Sequence, residues 1–320
     1  MISREAMQHQ AWKIILAIVV IAVIGVFLSP RIAQDPQYHT FADQRTLWGI
    51  PNFWNVLSSL PFMLVAGFEV LIQKVDVVIQ KVFLTFAEVG LYSAAYRFLD
   101  FLTFIPAVVA LSLFPYLSEA RDSKEVSVSA VLNRLNRYLL ALAVPLGLGG
   151  TVLARPLIQA LFGEAYLASA IPFQILIWAS VITFLYAVPN AVMLVKKPRA
   201  MVLILGLTAA LNVLANWLLI PRFGILASAW ITVLSYVLVA SSYIFLSRRE
   251  TSFRLFGYLF WPAVSAAVMA YVIWLLPGLN IYLLIGLGAV IYLGILFAVR
   301  FLEKEDLVFL GSIFRKQQKV

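Results

Sequence analysis

Apolar residues arrive along this chain in long runs, with polar residues gathered into short breaks between them. Runs near Ile14–Leu28, Phe53–Phe86, Tyr92–Leu117, Tyr138–Leu161, Ile171–Val195, Ala200–Ile220, Ile225–Leu246, Tyr258–Leu276 and Tyr282–Phe301 approach or exceed the roughly 20 apolar residues that a helical membrane span needs. They are too long for strands and lack the alternation, over about ten residues, of an outer-membrane barrel. The pattern predicts an all-α, polytopic membrane protein with nine transmembrane helices. The second run is the odd one. Its 34 residues would make a helix of about 51 Å, too long for one straight crossing of a core of about 30 Å and too short for two crossings with a turn.

Composition agrees. The chain is 63% hydrophobic and 12% charged, with a mean hydropathy of +0.95, against about 45–50% apolar residues in a soluble domain. The net charge of +9 resides in short loops such as "VKKPRA", "LSRRETSFR" and the tail "RKQQKV". Basic loops of this kind mark the cytoplasmic side, so the excess charge reflects topology and no nucleic-acid partner is expected. Alternating the loops puts the C-terminus in the cytoplasm and, with nine spans, the N-terminus outside. Arg4, Glu5 and Lys13 give the N-terminal segment a net positive charge that disagrees with this. The first apolar run is expected to be a retained helix, since no small-x-small cleavage site follows it in "SPRIAQ". There is no cysteine, which excludes disulfides, thiolate metal sites and a cysteine nucleophile. No nucleotide loop is visible, and no cofactor is expected.

An ionised residue at mid-bilayer costs about 2.5–3.5 kcal/mol on insertion scales, so those within apolar runs are candidate pathway positions. Lys74, Asp76 and Lys81 interrupt the second run, and the two lysines, seven apart, share a helix face. Two roles fit: a cationic lining that attracts the pyrophosphate of a lipid-linked sugar, or lysines that snorkel to the interface. Arg97 and Asp100 are three apart and close enough to pair; alternatively Arg97 faces a cavity and binds phosphate bidentately. Asn190, Asn212 and Asn216 suit interhelical hydrogen bonds or recognition of sugar hydroxyls. Pro106, Pro115, Pro145 and Pro189 bend helices, as hinges or as ordinary membrane prolines. "GLGG" at Gly147 to Gly150 reads as a close-packing site rather than a phosphate loop. "NRLNRYLL" at Asn133 to Leu140 reads as a solvated, basic helix start, and Trp217, Tyr258 and Trp261 as interfacial aromatics.

From about Glu69 onward the sequence resembles the polysaccharide and lipid-linked oligosaccharide flippases of the multidrug/oligosaccharidyl-lipid/polysaccharide exporter superfamily. The resemblance is carried by "VDVVIQKVFLTFAEVGLYSAAYRFLDFLTFIPAVVALSLFPYLSEA", where an Asp in an apolar helix precedes an E-V-G-x-Y-x-x-A-x-R element and an "FPYLS" helix end. It continues through "LALAVPLGLGGTVLARPLIQALFGEAYLASAIPFQIL" and "VPNAVMLVKKPRAMVLILGLTAALNVLANWLLIPRFGILASAWITVLSYV". In that family two six-helix lobes, often with two further C-terminal helices, enclose a cavity that opens to alternate sides. The resemblance implies that this chain holds the second lobe and the extra pair, with the Asp76 span as the lobe's first helix. It also implies a role for Arg97, at a position the family often fills with Arg.

The stretch "YHTFADQRTLWGIPNFWNVLSSLPFMLVAG", from Tyr38 to Gly67, resembles instead the N-terminus of bacterial alkaline-ceramidase-like membrane hydrolases, with Ser59 where their pattern has Asn. Those enzymes are similar to zinc amidohydrolases whose metal is held by histidines on later helices. Here the two histidines are His9 and His39 and none follows, whereas a catalytic zinc takes about three protein ligands. An amide hydrolase would have an incomplete site, and the chain is expected to be no enzyme. A junction is expected near Ala66 to Glu69, either a fusion that left an inert product or one that left a working lobe.

The expected organisation is thus 1–67, a membrane anchor and loop; 68–250, a flippase-type helical bundle; and 251–320, two additional helices and a basic tail. The expected function is translocation of a lipid-linked oligosaccharide or polysaccharide precursor across the bacterial cytoplasmic membrane, driven by ion gradients or membrane potential. Partners are the lipid-linked saccharide, membrane lipids, and a second copy or a separate first lobe that completes the cavity. Metal analysis of the purified protein should return no stoichiometric zinc; one zinc per chain together with hydrolysis of an acyl-amide lipid would reverse this assignment.

Overall fold

The computed structural model describes residues 45–49, 53–119, 126–248 and 256–301. The predicted span Ile14–Leu28 and the basic tail lie outside the described residues. The chain divides into two units, Met1–Ser59 and Leu60–Val320. In the first, Trp48 and Gly49 form a turn with positive φ, and the Phe53 amide donates to the Arg45 carbonyl at 3.1 Å. The Trp48 ring meets Phe53 edge-on, at 5.3 Å between centroids.

Apart from the first seven residues of the first long helix, everything further concerns the second unit, whose described residues form helices and turns and no strand. Helix α1, Phe53–Phe83, continues through the expected junction without a break. Its 31 residues correspond to about 46 Å, so the anomalous second run is a single long helix. Helix α2, Phe86–Glu119, starts six residues before the predicted run because Thr85 and Glu88 form a reciprocal cap. The Thr85 amide donates to Glu88 Oε2 at 2.9 Å and the Glu88 amide to Thr85 Oγ1 at 3.3 Å, a T-x-x-E capping box.

The predicted run Tyr138–Leu161 is two helices, α3 (Val126–Val152) and α4 (Ala154–Phe162), separated by Leu153 with φ −86° and ψ 6°. The break is held from outside, where the Gln174 side-chain amide donates to the Thr151 carbonyl at 2.9 Å. "NRLNRYLL" therefore lies inside α3. Asn136 is fully buried, and the Arg137 guanidinium sits 5.5 Å from the Tyr138 ring and 5.9 Å from the Phe301 ring. This corrects the expectation of a solvated helix start: apolar residues on both sides of the basic cluster carry it into the bundle.

A short 3-10 segment, Glu164–Ser169, leads into α5, Ala170–Lys196. This helix is the spine of the unit, packed between α2, α3 and α6, Pro198–Ser247. Of its most apolar stretch 56% is buried, against 22% for α2, which places α5 inside and α2 at the perimeter. The close-packing expectation for "GLGG" is met. A Cβ on Gly147 would lie 2.7 Å from Val181 Cγ2, and one on Gly150 2.9 Å from Ile177 Cγ1.

Helix α6 contains Gly224 at φ 60° and ψ −146°, a region essentially restricted to glycine. Its arms, 198–223 and 225–247, fold against each other. Asn212 Nδ2 donates to Ser235 Oγ at 2.8 Å across a separation of 23 residues, which a straight helix would place about 34 Å apart. Two predicted runs thus become one hairpin. After a 3-10 turn at Phe256–Tyr258, helices α7 (Phe260–Trp274) and α8 (Ile281–Ala298) pair with each other, and α7 lies against α3. Asn280 caps α8 by accepting from the Tyr282 amide at 2.9 Å.

Among the described residues, five helices are long and apolar enough to cross a membrane, with the 15-residue α7 shorter than a full crossing. Large apolar side chains such as Phe101, Leu203, Leu207 and Leu234 are exposed, as suits a lipid-facing perimeter. Gly150→Val should lower stability by about 1–3 kcal/mol through overpacking. Gly286→Ala, where an added Cβ meets nothing within 4 Å, should be neutral or slightly stabilising; denaturant titration in detergent micelles measures both.

Candidate functional site

Helices α1, α2, α5 and α6 enclose a cavity of about 290 Å³. Glu69 and Gln73 come from α1, Asp100, Thr103 and Phe104 from α2, Thr183, Tyr186 and Asn190 from α5, and Tyr236 from the second arm of α6. Of the residues singled out from sequence, Asp100, Pro106 and Asn190 line it directly. Lys74 joins it through Asp100, its Nζ donating to both carboxylate oxygens at 2.7 and 2.9 Å while lying 4.6 Å from the centroid of the Tyr96 ring.

Of the two readings of Arg97 and Asp100, the mutual pair is not formed; Asp100 pairs with Lys74. Arg97 and Asp100 leave α2 on different sides, and Asp100 faces α1, where Lys74 is the nearer cation. Both members of the Lys74–Asp100 pair are about half exposed, at 48% and 50%, so the pair contributes about 0–1 kcal/mol to stability. Its consequence is electrostatic: Lys74 is held by a carboxylate and does not stand free as a cationic lining.

Asp76 is fully buried. The Tyr92 hydroxyl donates to its Oδ2, Thr232 Oγ1 donates to the same oxygen at 3.4 Å, and the Val77 amide donates to Oδ1 at 2.7 Å. Three helices, α1, α2 and α6, therefore meet at one carboxylate. Beside it the Tyr96 hydroxyl donates to the Gln73 carbonyl at 2.6 Å, linking this cluster to the cavity wall. One turn from Asp76, Gln80 is fully buried and its amide has no partner among the described residues; one turn from Thr232, the same holds for the Ser228 hydroxyl. The chemistry open to such a dry, oxygen-rich layer is reversible protonation of the carboxylate or coordination of a hard cation.

Asn212 lies away from the cavity lining. Besides its bond to Ser235, its Oδ1 accepts from Asn216 Nδ2 at 3.0 Å, so it holds the two arms of α6 together. Lys81 is exposed near the end of α1. Arg97 lines a second, nearly apolar groove of about 620 Å³ between α2, α3, α4, α5, α7 and α8, walled by residues such as Phe101, Leu146, Phe173 and Ile273. Helix α2 thus separates a polar cavity from an apolar groove.

Residues 38–171 match a family described as polysaccharide biosynthesis protein. That match begins at Tyr38 and so takes in the stretch read as hydrolase-like, a reading that these similarities do not support. The chain is 29% identical over 168 residues to the probable flippase AglR of Haloferax volcanii, covering 51% of this chain and 35% of that protein. It is 25% identical over 229 residues to the probable low-salt glycan biosynthesis flippase Agl15 of the same organism, covering 68% of this chain and 48% of the relative. Among solved structures, the lipid II flippase MurJ in an inward closed conformation is similar, with a TM-score of 0.60 and 15% identity over 70% of this chain and 50% of that one. The chain therefore has a flippase-type helical fold and spans between about a third and a half of the length of the relatives it matches.

Sequence inspection passed over Glu69, Tyr92, Tyr96, Thr232 and Tyr236 as site residues. Glu69 was visible as a charge in an apolar run, and Tyr92 as the tyrosine of E-V-G-x-Y; Thr232 carries no local signal, since only the fold of α6 brings it to Asp76. Tyr92→Phe should destabilise the protein by about 1–3 kcal/mol by stripping a buried carboxylate of its main donor, with Ser241→Ala on the exposed side of α6 as a neutral reference in the same unfolding assay.

Proposed function

We propose that this chain is a transport protein, a flippase-type lobe that helps move a lipid-linked oligosaccharide or polysaccharide precursor across a cytoplasmic membrane. The observation that carries the proposal is the two-sided environment of α2, with a polar cavity holding Asp100 on one side and an apolar groove lined in part by Arg97 on the other. A lipid-linked saccharide has the same two halves: polar sugars that need hydrogen-bonding partners and a polyisoprenoid chain that does not. The similarity to relatives named as flippases and the flippase-type fold support the same reading.

On this proposal Asp100 and Asn190 meet the saccharide, and Arg97, the one guanidinium among the described residues lining the groove, meets phosphate. Asp76 serves as the carboxylate through which an ion gradient acts, since an ionisable residue buried inside a membrane bundle marks an ion or proton pathway. Lys74 sets the charge of the cavity through Asp100, Lys81 lies at the entrance end of α1, and Asn212 keeps the α6 hairpin closed beside the pathway. The unit 68–250 forms the lobe, 251–320 supports it, and a second copy or a separate first lobe completes the cavity. The C-terminus is cytoplasmic, and the reaction involves no covalent chemistry.

Proteoliposomes carrying a fluorescent lipid-linked saccharide test this, with the protein reconstituted alone and together with a first-lobe partner. Faster loss of label to a membrane-impermeant quencher than in protein-free vesicles is expected in at least one arm. Arg97→Ala and Asp76→Asn should each slow it by about tenfold or more. Rates equal to protein-free vesicles in both arms would overturn the proposal.

A further inference from the structure

The polar cavity carries the opposite sign to the one expected of a phosphate-binding site. Among the described residues no Lys, Arg or His lines it, whereas two carboxylates, Glu69 and Asp100, do. Asp100 already shows what the rim selects: it holds the Lys74 ammonium at 2.7 Å, beside the face of an aromatic ring. Glu69, one helical turn from Gln73 on the same wall, has no ion-pair or hydrogen-bond partner among the described residues. Two carboxylates face one ammonium there, so an ionised Glu69 has no partner of opposite charge among the described residues and would be stabilised by a bound cation.

Two lining hydroxyls and one amide oxygen are arranged in the same sense. The Thr183 hydroxyl donates to the Ser180 carbonyl at 2.6 Å, and that of Thr103 to the Leu99 carbonyl at 2.8 Å, so both present lone pairs rather than protons. Asn190 Oδ1 has no partner among the described residues. These groups call for a ligand that is positively charged and rich in donors. Size then separates a bare ion from an organic cation. At about 290 Å³ the space equals the liquid volume of about ten waters, too large for one dehydrated ion and suited to a single sugar ring. Phe104, Tyr186 and Tyr236 supply the apolar and π faces against which a ring and an ammonium pack.

We infer that this cavity recognises the protonated amino group of an amino sugar, with Glu69 as its principal carboxylate and Asn190 as a flanking acceptor. The inference rests on the lobe's proposed role with lipid-linked saccharides and narrows it to saccharides that carry a free amine.

The full chain in lipid nanodiscs, titrated with glucosamine, N-acetylglucosamine and glucose at constant ionic strength, tests it by saturation-transfer NMR and thermal stabilisation. Glucosamine should bind saturably and at least about tenfold more tightly than the acetylated or neutral sugar, because acetylation removes the charge. Glu69→Gln should remove that preference, Glu69→Asp should keep most of it, and Glu164→Gln, at an exposed carboxylate outside the cavity lining, should leave it intact. If Glu69→Gln fails to fold, the comparison of the three sugars on the unaltered protein decides the matter alone. Equal binding of glucosamine and N-acetylglucosamine would overturn the inference, as would a saturable response to sodium over potassium that competes glucosamine away. Flipping of lipid-linked saccharides without any glucosamine preference would sink this inference and spare the proposed function. Glucosamine binding without flipping would do the reverse.

Discussion

The second unit depends on one buried carboxylate. Asp76 sits in an apolar helix where an ionisable group has no water to turn to, so the cost of placing it there is offset by donors brought from other helices. Tyr92 comes from α2 and Thr232 from the second arm of α6. Lipid supplies no hydrophobic drive for helices to associate, and packing and interhelical hydrogen bonds take its place. One side chain thereby sets the mutual positions of α1, α2 and α6, and with them the walls of the polar cavity.

Around that point the division of labour is consistent. Helix α5 is the buried spine, with Gly147 and Gly150 of α3 admitting Val181 and Ile177 at close range. Helix α2 is the partition, its polar side given to Asp100, Thr103 and the cavity, its other side to Arg97 and the apolar groove. The α6 hairpin closes the far wall, and Gly224 permits the reversal that lets Asn212 reach Ser235. A carboxylate near α1, an ammonium bound across to α2 and an aromatic shelf beneath it give the cavity a defined sign, which an inventory of its charged residues by position would have misjudged.

Much of the architecture was legible along the chain. Among the described residues hydropathy located most helices to within a few residues, the gap between the runs ending at Ile220 and starting at Ile225 marked the α6 reversal, and "GLGG" announced a close approach. The exceptions have identifiable causes. The start of α2 moved because a capping box overrides the hydropathy edge. The run Tyr138–Leu161 split because a side chain from α5 takes the carbonyl at Thr151. "NRLNRYLL" proved to be helix interior because Asn136 is covered and Arg137 stacks on aromatic rings. Hydropathy averages over a window and is blind to partners that arrive from elsewhere.

What the sequence determined by itself is the class of molecule: a helical membrane bundle, the approximate register of its spans, the absence of cysteine chemistry and the short set of polar residues that have to be accommodated. Those follow from composition and period, which are properties of the chain alone. Only the tertiary structure decided which of those residues meet: Asp100 with Lys74 rather than Arg97, Asp76 with Tyr92 and Thr232, Asn212 with Ser235. The reason is that each partnership joins residues distant in sequence, and which of them meet depends on how the helices pack.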